Sequence, residues 1–117
     1  MSDDYAAQLA LYEELVATNP IVVRKGKTTP YTSRNGHMFS FLAKDGHVSL
    51  RLPAEEREAF LERYETEPSV QYGAVMKEYA VVPDDLLERT GELKPYFDAS
   101  YAYVGSLKPK PTKQKKR

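Results

Sequence analysis

Two short segments, Asn35-Gly36-His37 and Asp45-Gly46-His47, are near-copies of one tripeptide and contain both histidines of the 117-residue chain. Imidazole is a common metal ligand and the side chain that most readily exchanges a proton near neutral pH, so a matched pair could form a metal or catalytic site. Asn-Gly and Asp-Gly are also the dipeptides that favour two-residue hairpin turns, because both central residues of such a turn have positive φ angles. The same residues therefore fit either a site or two corners of a sheet.

The geometry of a three-stranded meander favours the corners. With two-residue loops, Arg34 lies opposite His37, and Lys44 lies opposite His47. The two histidines are then separated by the length of the middle strand, roughly 23 Å, and their rings point to opposite faces. One metal within a chain is excluded, because both nitrogens would have to lie about 2 Å from the ion. A site shared between two subunits stays open, but nothing in the sequence supports it, and we predict no catalytic residue, metal or cofactor.

Composition narrows the functional class further. The chain has no cysteine, which excludes disulfides, thiolate metal sites and cysteine nucleophiles. It contains no phosphate-binding glycine loop, nucleophile elbow, H-E-x-x-H pair or calcium loop. No apolar segment is long enough to span a bilayer, and the N-terminus is acidic where a signal peptide would be basic. We expect a cytoplasmic, non-enzymatic protein with no membrane partner.

The charge is distributed unevenly along the chain. The net charge is zero, but the last ten residues carry six Lys or Arg and no acid, so the preceding 107 residues have a net charge of −6. These last residues also include two prolines and no apolar side chain, a composition that does not order itself. We predict one folded domain over residues 1–107, followed by a disordered basic tail over residues 108–117.

Hydrophobic periodicity predicts the elements of this domain. A helix is expected from Asp3 to Val16, and an extended segment runs from Ile21 through Lys27 and Thr28 to Ser33. The hairpin meander follows, then a helix that starts near Pro53, a loop over residues 65–73 and a strand that ends before Pro83. One or two helical turns and a last helix from Glu92 to Leu107 complete the chain. This order predicts a two-layer α+β fold, an antiparallel sheet built around the meander with helices packed on one face.

The predicted register divides the meander into two faces. The core face would carry Phe39, Phe41 and Ala43 together with Val48, Leu50 and Leu52. The opposite face would carry Tyr31, Met38, Ser40, Leu42, Ser49 and Arg51.

Three segments then resemble a known family. The stretch NGHMFSFLAKDGHVSLRLP, followed by VMKEYAVVP and YFDASYAYVGSLKPKP, is similar to the TfoX N-terminal-domain family of Sxy-like proteins over about Tyr5 to Pro109. The similarity is carried by Gly-x-Met-Phe at Gly36, Arg-Leu-Pro at Arg51 and Met-Lys-Glu-Tyr at Met76. It implies the same two-layer α+β fold and no catalytic residues. The sequence departs from the family in the segment 26–31 and in ending with a basic tail where longer members have a second domain.

Two functional hypotheses follow, and they predict different partners. The first is an interaction or regulatory module that forms a homodimer or binds another protein through the face opposite the core, because an apolar strip on an open sheet marks a contact surface. Its candidate contact residues are Tyr31, Met38, Ser40, Leu42 and Arg51. The alternative is a nucleic-acid-associated protein that contacts phosphates through a basic segment and the tail. Its candidate residues are Arg24, Lys25, Lys27, Arg34, Lys113, Lys115, Lys116 and Arg117.

Overall fold

The computed structural model describes residues 2–26, 29–71 and 73–109, with side chains from Tyr5 onward. Within these residues the chain forms, in order, the elements α1 (Ser2–Ala17), β1 (Tyr31–Arg34), β2 (His37–Leu42), β3 (Val48–Arg51), α2 (Ala54–Arg63), β4 (Pro68–Gln71), β5 (Ala74–Val82), α3 (Asp84–Leu87) and α4 (Thr90–Ser106). In this part of the chain, none of the helices has the length and hydropathy that a bilayer crossing requires.

The five strands form one antiparallel sheet in the order β1-β2-β3-β5-β4. Helix α4 packs on β1, β2 and β3, helix α2 packs on β5, and helices α1 and α3 pack on α4 and on each other. The helices therefore form one layer on one face of the sheet, and the predicted two-layer α+β fold is confirmed. We call the face under the helices the covered face and the other the open face.

The core lies between the covered face and the helices. Its largest fully buried side chains are Tyr12, Phe39, Phe60, Phe97, Leu15, Leu42, Leu50, Leu52, Leu86, Leu87, Leu93 and Val48. One polar cluster is enclosed with them, because the Tyr12 hydroxyl lies 2.7 Å from Ser40 Oγ and Ser40 Oγ lies 2.5 Å from Thr32 Oγ1. These hydrogen bonds satisfy groups that would otherwise be costly to bury. Burial also raises the pKa of the Tyr12 phenol well above its ordinary value.

The predicted helices form close to their expected limits. Pro53 and Pro83 occupy the N-cap positions of α2 and α3, and acidic residues fill the first turn of each, where the helix dipole favours negative charge. Helix α4 begins two residues before the predicted Glu92 and includes Pro95. Pro95 is the sixth residue of the helix, in its second turn, so the Gly91 carbonyl lacks the i+4 amide that it would otherwise accept.

Two predictions about strands were wrong. The β-branched run from Ile21 does not start a strand, and β1 begins only at Tyr31 after a loop closed by two hydrogen bonds between the backbones of Lys25 and Tyr31. Ile21 and Val23 are 72% and 67% exposed, so no packing holds them in a sheet. The predicted loop 65–73 contains the edge strand β4, whose first residue is Pro68, a position where a missing N–H is acceptable.

The two glycine-containing turns adopt different lengths. Asn35 and Gly36 have φ angles of 63° and 81° and form the predicted two-residue loop, with Arg34 paired to His37. The second loop is one residue longer than predicted, because Leu42 pairs with Val48 and the Ala43 amide bonds to the His47 carbonyl. Gly46 (φ 91°) supplies the left-handed residue that closes this three-residue loop. Lys44 is therefore not paired with His47, and the register of β2 against β3 shifts by one residue.

This shift exchanges the faces of several β2 side chains, because neighbouring residues on a strand point in opposite directions. Ser40 and Leu42 now pair with Leu50 and Val48 on the covered face. A bulge keeps Phe39 on that face as well: Ser40 pairs with Thr32 and Met38 pairs with Ser33, so Phe39 is an extra residue on β2. Its ring lies 5.5 Å from that of Phe97 on α4. Phe41, predicted to lie in the core with Phe39, is on the open face.

Candidate functional site

A groove with a volume of about 770 Å³ lies on the open face of the sheet. Its floor is formed by β1, β2 and the start of the loop after β2, and its wall is formed by the β4–β5 hairpin. All the residues that line it belong to strands and loops: Thr29, Tyr31, Met38, Phe41, Ala43, Lys44, Asp45, Val70, Gln71, Ala74 and Met76. The groove is therefore an apolar concavity with one lysine and one aspartate at its end.

An aromatic pair fixes the floor of the groove. The rings of Phe41 and Tyr79 lie 5.5 Å apart in a tilted arrangement, and Phe41 is only 4% exposed. The Tyr79 hydroxyl donates a hydrogen bond of 2.7 Å to the carbonyl of Met38, which ties β5 to β2 across β3. Burial raises the pKa of the Tyr79 phenol above its ordinary value.

The structure brings together only part of the predicted contact face. Tyr31 and Met38 line the groove and are half-buried. Leu42 and Ser40 were wrongly placed on this face: both are fully buried on the covered face, because the longer second loop shifts the register. Phe41, predicted as a core residue, and Met76 line the groove instead. Met76 was not identified from the sequence, because the irregularity in the pairing of β4 and β5 has no sequence signal.

Arg51 is the last residue of the central strand β3, and its side chain is engaged within the chain. Its Nε atom lies 2.6 Å from Glu78 Oε1, and its guanidinium lies 5.7 Å from the ring of Tyr103 on α4. The Arg51 carbonyl also accepts a hydrogen bond from Ser100 Oγ. These contacts tie β3 to β5 and to α4, so Arg51 has a structural role at the edge of the domain.

The basic segment is partly neutralised by the fold. Arg24 forms a 3.0 Å ion pair with Glu13 of α1, and Lys25 donates to Ser33 Oγ at 2.9 Å. The Arg34 guanidinium stacks 4.0 Å from the centre of the Tyr101 ring and donates to the Tyr101 carbonyl. Lys27 and the tail residues Lys113, Lys115, Lys116 and Arg117 lie outside the described residues.

The two histidines have separate surroundings. His37 Nε2 lies 2.8 Å from the carbonyl of Lys108 and its Nδ1 lies 3.5 Å from Arg51. His47 Nδ1 lies 3.1 Å from Asp45 and its Nε2 lies 3.9 Å from Asp84. Over residues 2–26, 29–71 and 73–109, no three His, Asp or Glu side chains are grouped so that they could hold a metal ion.

No family model, curated protein or solved structure matches this chain.

Proposed function

We propose that this protein is a non-enzymatic interaction module of the TfoX N-terminal type that binds a partner protein in the groove on its open face. The observation that carries the proposal is the groove itself, an apolar concavity made by Tyr31, Met38, Phe41 and Met76 on the side of the sheet away from the helices. An apolar concavity of this size at the surface favours burial against a partner, because apolar surface is stabilised when it leaves water.

The β4–β5 hairpin extends this apolar surface beyond the groove. Val70 and Val75 pair across the hairpin and are 56% and 57% exposed, although large aliphatic side chains are usually buried. A partner that fills the groove would cover Val70 at the same time. The methionines of the groove also favour partner binding, since their flexible, polarizable side chains adapt to the shape of an incoming segment.

The resemblance to the TfoX N-terminal family supports the same class of function, because it implies a regulatory domain without catalytic residues. The nucleic-acid alternative has less support among the described residues. Arg24 is already engaged by Glu13, and Arg34 by Tyr101. Breaking these contacts would reduce the free energy gained when either arginine binds a phosphate.

Capture from nuclease-treated native lysate, followed by binding of the purified partner, tests the proposal. The matched variants are Met38→Glu/Met76→Glu, which places charge in the groove, and Val23→Glu, which places charge on an exposed apolar residue outside it. A partner identified by mass spectrometry is expected to bind wild type and Val23→Glu equally in calorimetry and to lose at least tenfold in affinity for the groove variant. Equal binding to all three proteins would refute the proposal, and so would capture of no protein from the treated lysate together with capture of nucleic acid from an untreated one.

A further inference from the structure

An acidic pocket continues the groove at its Asp45 end. Its volume is about 370 Å³, and Asp45, Val70 and Gln71 line both concavities. The other charged or titratable residues in its lining are Glu65, Glu67 and His47, so it contains three carboxylates, one imidazole and no Lys or Arg. One continuous surface therefore changes from apolar and neutral to acidic over a short distance.

The two glutamates of this pocket are available to a ligand. Both are exposed, and among the residues that the structure describes neither has an ion-pair partner within 4.0 Å. Asp45 is partly engaged by His47 at 3.1 Å, and His47 also lies 3.9 Å from a further carboxylate outside the pocket, Asp84. The pocket thus has an excess of negative charge that the fold does not neutralise.

The backbone that carries these glutamates is held in place. The Glu67 carbonyl accepts a hydrogen bond from the Val81 amide at 3.0 Å, and Thr66 Oγ1 donates to the Val81 carbonyl at 2.8 Å. The segment 65–67 is thereby fixed against β5. Because this backbone is already held, only the two Glu side chains of the segment lose conformational freedom when a cationic segment binds.

We infer that the partner binds through a peptide segment in which apolar side chains are followed directly by Lys or Arg, with the apolar part in the groove and the basic part in the acidic pocket. This inference rests on the proposed function and specifies its ligand. The chemistry follows from charge complementarity, because a purely apolar segment would leave the carboxylates without partners and an acidic one would be repelled.

Two occupants from the same chain fit less well. The basic tail over residues 108–117 has the charge but no apolar side chain for the groove. A second copy would bring a body of net charge −6, residues 1–107, against the acidic pocket. A separate partner segment meets both requirements.

A phage-displayed library of random dodecapeptides, panned on the full-length protein, tests the inference. Enriched peptides are expected to combine two or three apolar residues with adjacent Lys or Arg. A synthetic copy of the most enriched peptide is then measured by fluorescence anisotropy against wild type, Glu65→Gln/Glu67→Gln, Met38→Glu/Met76→Glu and the control Glu55→Gln/Glu56→Gln. The control removes the same charge from the exposed first turn of α2.

We expect a five- to tenfold loss of affinity, on the order of two partly screened ion pairs, for Glu65→Gln/Glu67→Gln and no change for the control. The wild-type affinity is expected to fall with rising salt concentration, and the groove variant is expected to show no binding. Peptides without basic residues, or equal affinity for the pocket variant, would overturn this inference and leave the proposed function intact. Binding that survives in the groove variant would overturn both. A dimer of the wild type that dissociates in the groove variant, measured by sedimentation, would assign the groove to a second copy and also overturn the inference.

Discussion

The two turns of the meander have nearly the same sequence but different roles in the fold. At the first turn, the side chains of Arg34, Asn35 and His37 all reach the C-terminal end of α4. They contact the carbonyls of Tyr101, Leu107 and Lys108 at 3.1, 2.9 and 2.8 Å. Helix α4 has no basic residue in its own last turn, and the Asn35 side-chain amide also donates to the carbonyls of Val104 and Gly105, which lie in that turn and have no i+4 partner within the helix.

The second turn makes mostly local contacts. Asp45 accepts a hydrogen bond of 3.0 Å from the His47 amide within its own loop, and Gln8 Nε2 of α1 donates one of 3.0 Å to the Gly46 carbonyl. His47 is largely exposed beside Asp84. The comparison shows that a turn dipeptide specifies a change of direction, whereas its contribution to stability depends on what the fold places against it.

The largest expected difference between the turns comes from removing the side chains of Asn35 and Asp45. Asn35→Ala should lower the free energy of unfolding by about 2–3 kcal/mol, because alanine is strained at positive φ and the bonds to α4 are lost. Asp45→Ala, which has neither penalty, should cost about 1 kcal/mol or less. Urea unfolding followed by circular dichroism measures both. Equal losses would show that the contacts to α4 do not distinguish the turns.

The contact between Arg34 and α4 can be isolated with a double-mutant cycle. A Cβ atom at Gly105 would collide with the Arg34 guanidinium, so Gly105→Ala should displace it and cost about 1 kcal/mol in the wild type. In an Arg34→Ala background the same change should stabilise the helix by about 1 kcal/mol, since alanine has the higher helix propensity. The expected coupling is about 2 kcal/mol by urea unfolding. Additive effects would contradict the packing of Arg34 against α4.

Replacing the histidine of the first turn should also lower the free energy of unfolding more than replacing that of the second. The difference should be smaller than the one between Asn35 and Asp45. His37→Ala removes the contact with the Lys108 carbonyl and should cost about 1 kcal/mol. His47→Ala removes an exposed side chain and should cost at most about 0.3 kcal/mol. Thermal unfolding of the two variants in parallel checks this order. A larger loss at His47 would mean that its neighbour Asp84 anchors the second turn to α3.

Changing the length of the second turn is expected to have a smaller effect on stability than the loss of His37. Deleting Lys44 would leave Asp45-Gly46 as a two-residue loop between Ala43 and His47, which are already paired. The free energy of unfolding should change by no more than about 0.5 kcal/mol, and the amide shifts of β2 and β3 should persist in NMR spectra. Widespread shift changes would show that the three-residue loop sets the register.

The local signals in the sequence were reliable for helices and for the first turn. Hydrophobic periodicity placed α2 and α4 close to their expected limits, and the strand that ends before Pro83 is followed by the predicted helical turn, α3. Asn35-Gly36 adopted the predicted loop because two adjacent residues with positive φ need no tertiary support. These features depend on interactions within a few residues, which the sequence contains in full.

The groove was only partly predictable, for a geometric reason. One extra residue in the second loop moved Phe41 to the open face and Leu42 to the core, and the bulge at Phe39 restored that ring to the core. The apolar side chains of β2 offer no local signal for this choice, since Met38, Phe39, Phe41 and Leu42 are all suitable for burial. Tyr31 and Met38 were correctly placed, whereas Phe41 and Met76 were missed as groove residues.

The sequence by itself determined the α+β class, the position of most elements and the absence of cysteine chemistry, because each follows from composition or from short-range periodicity. The tertiary structure alone decided which side chains of β2 face the helices, which basic residues are engaged, and that the groove opens into an acidic pocket. Those properties depend on strand register and on contacts between residues far apart in the chain. A shift of one residue in strand register moves the side chains of a strand to the opposite face without changing any local preference.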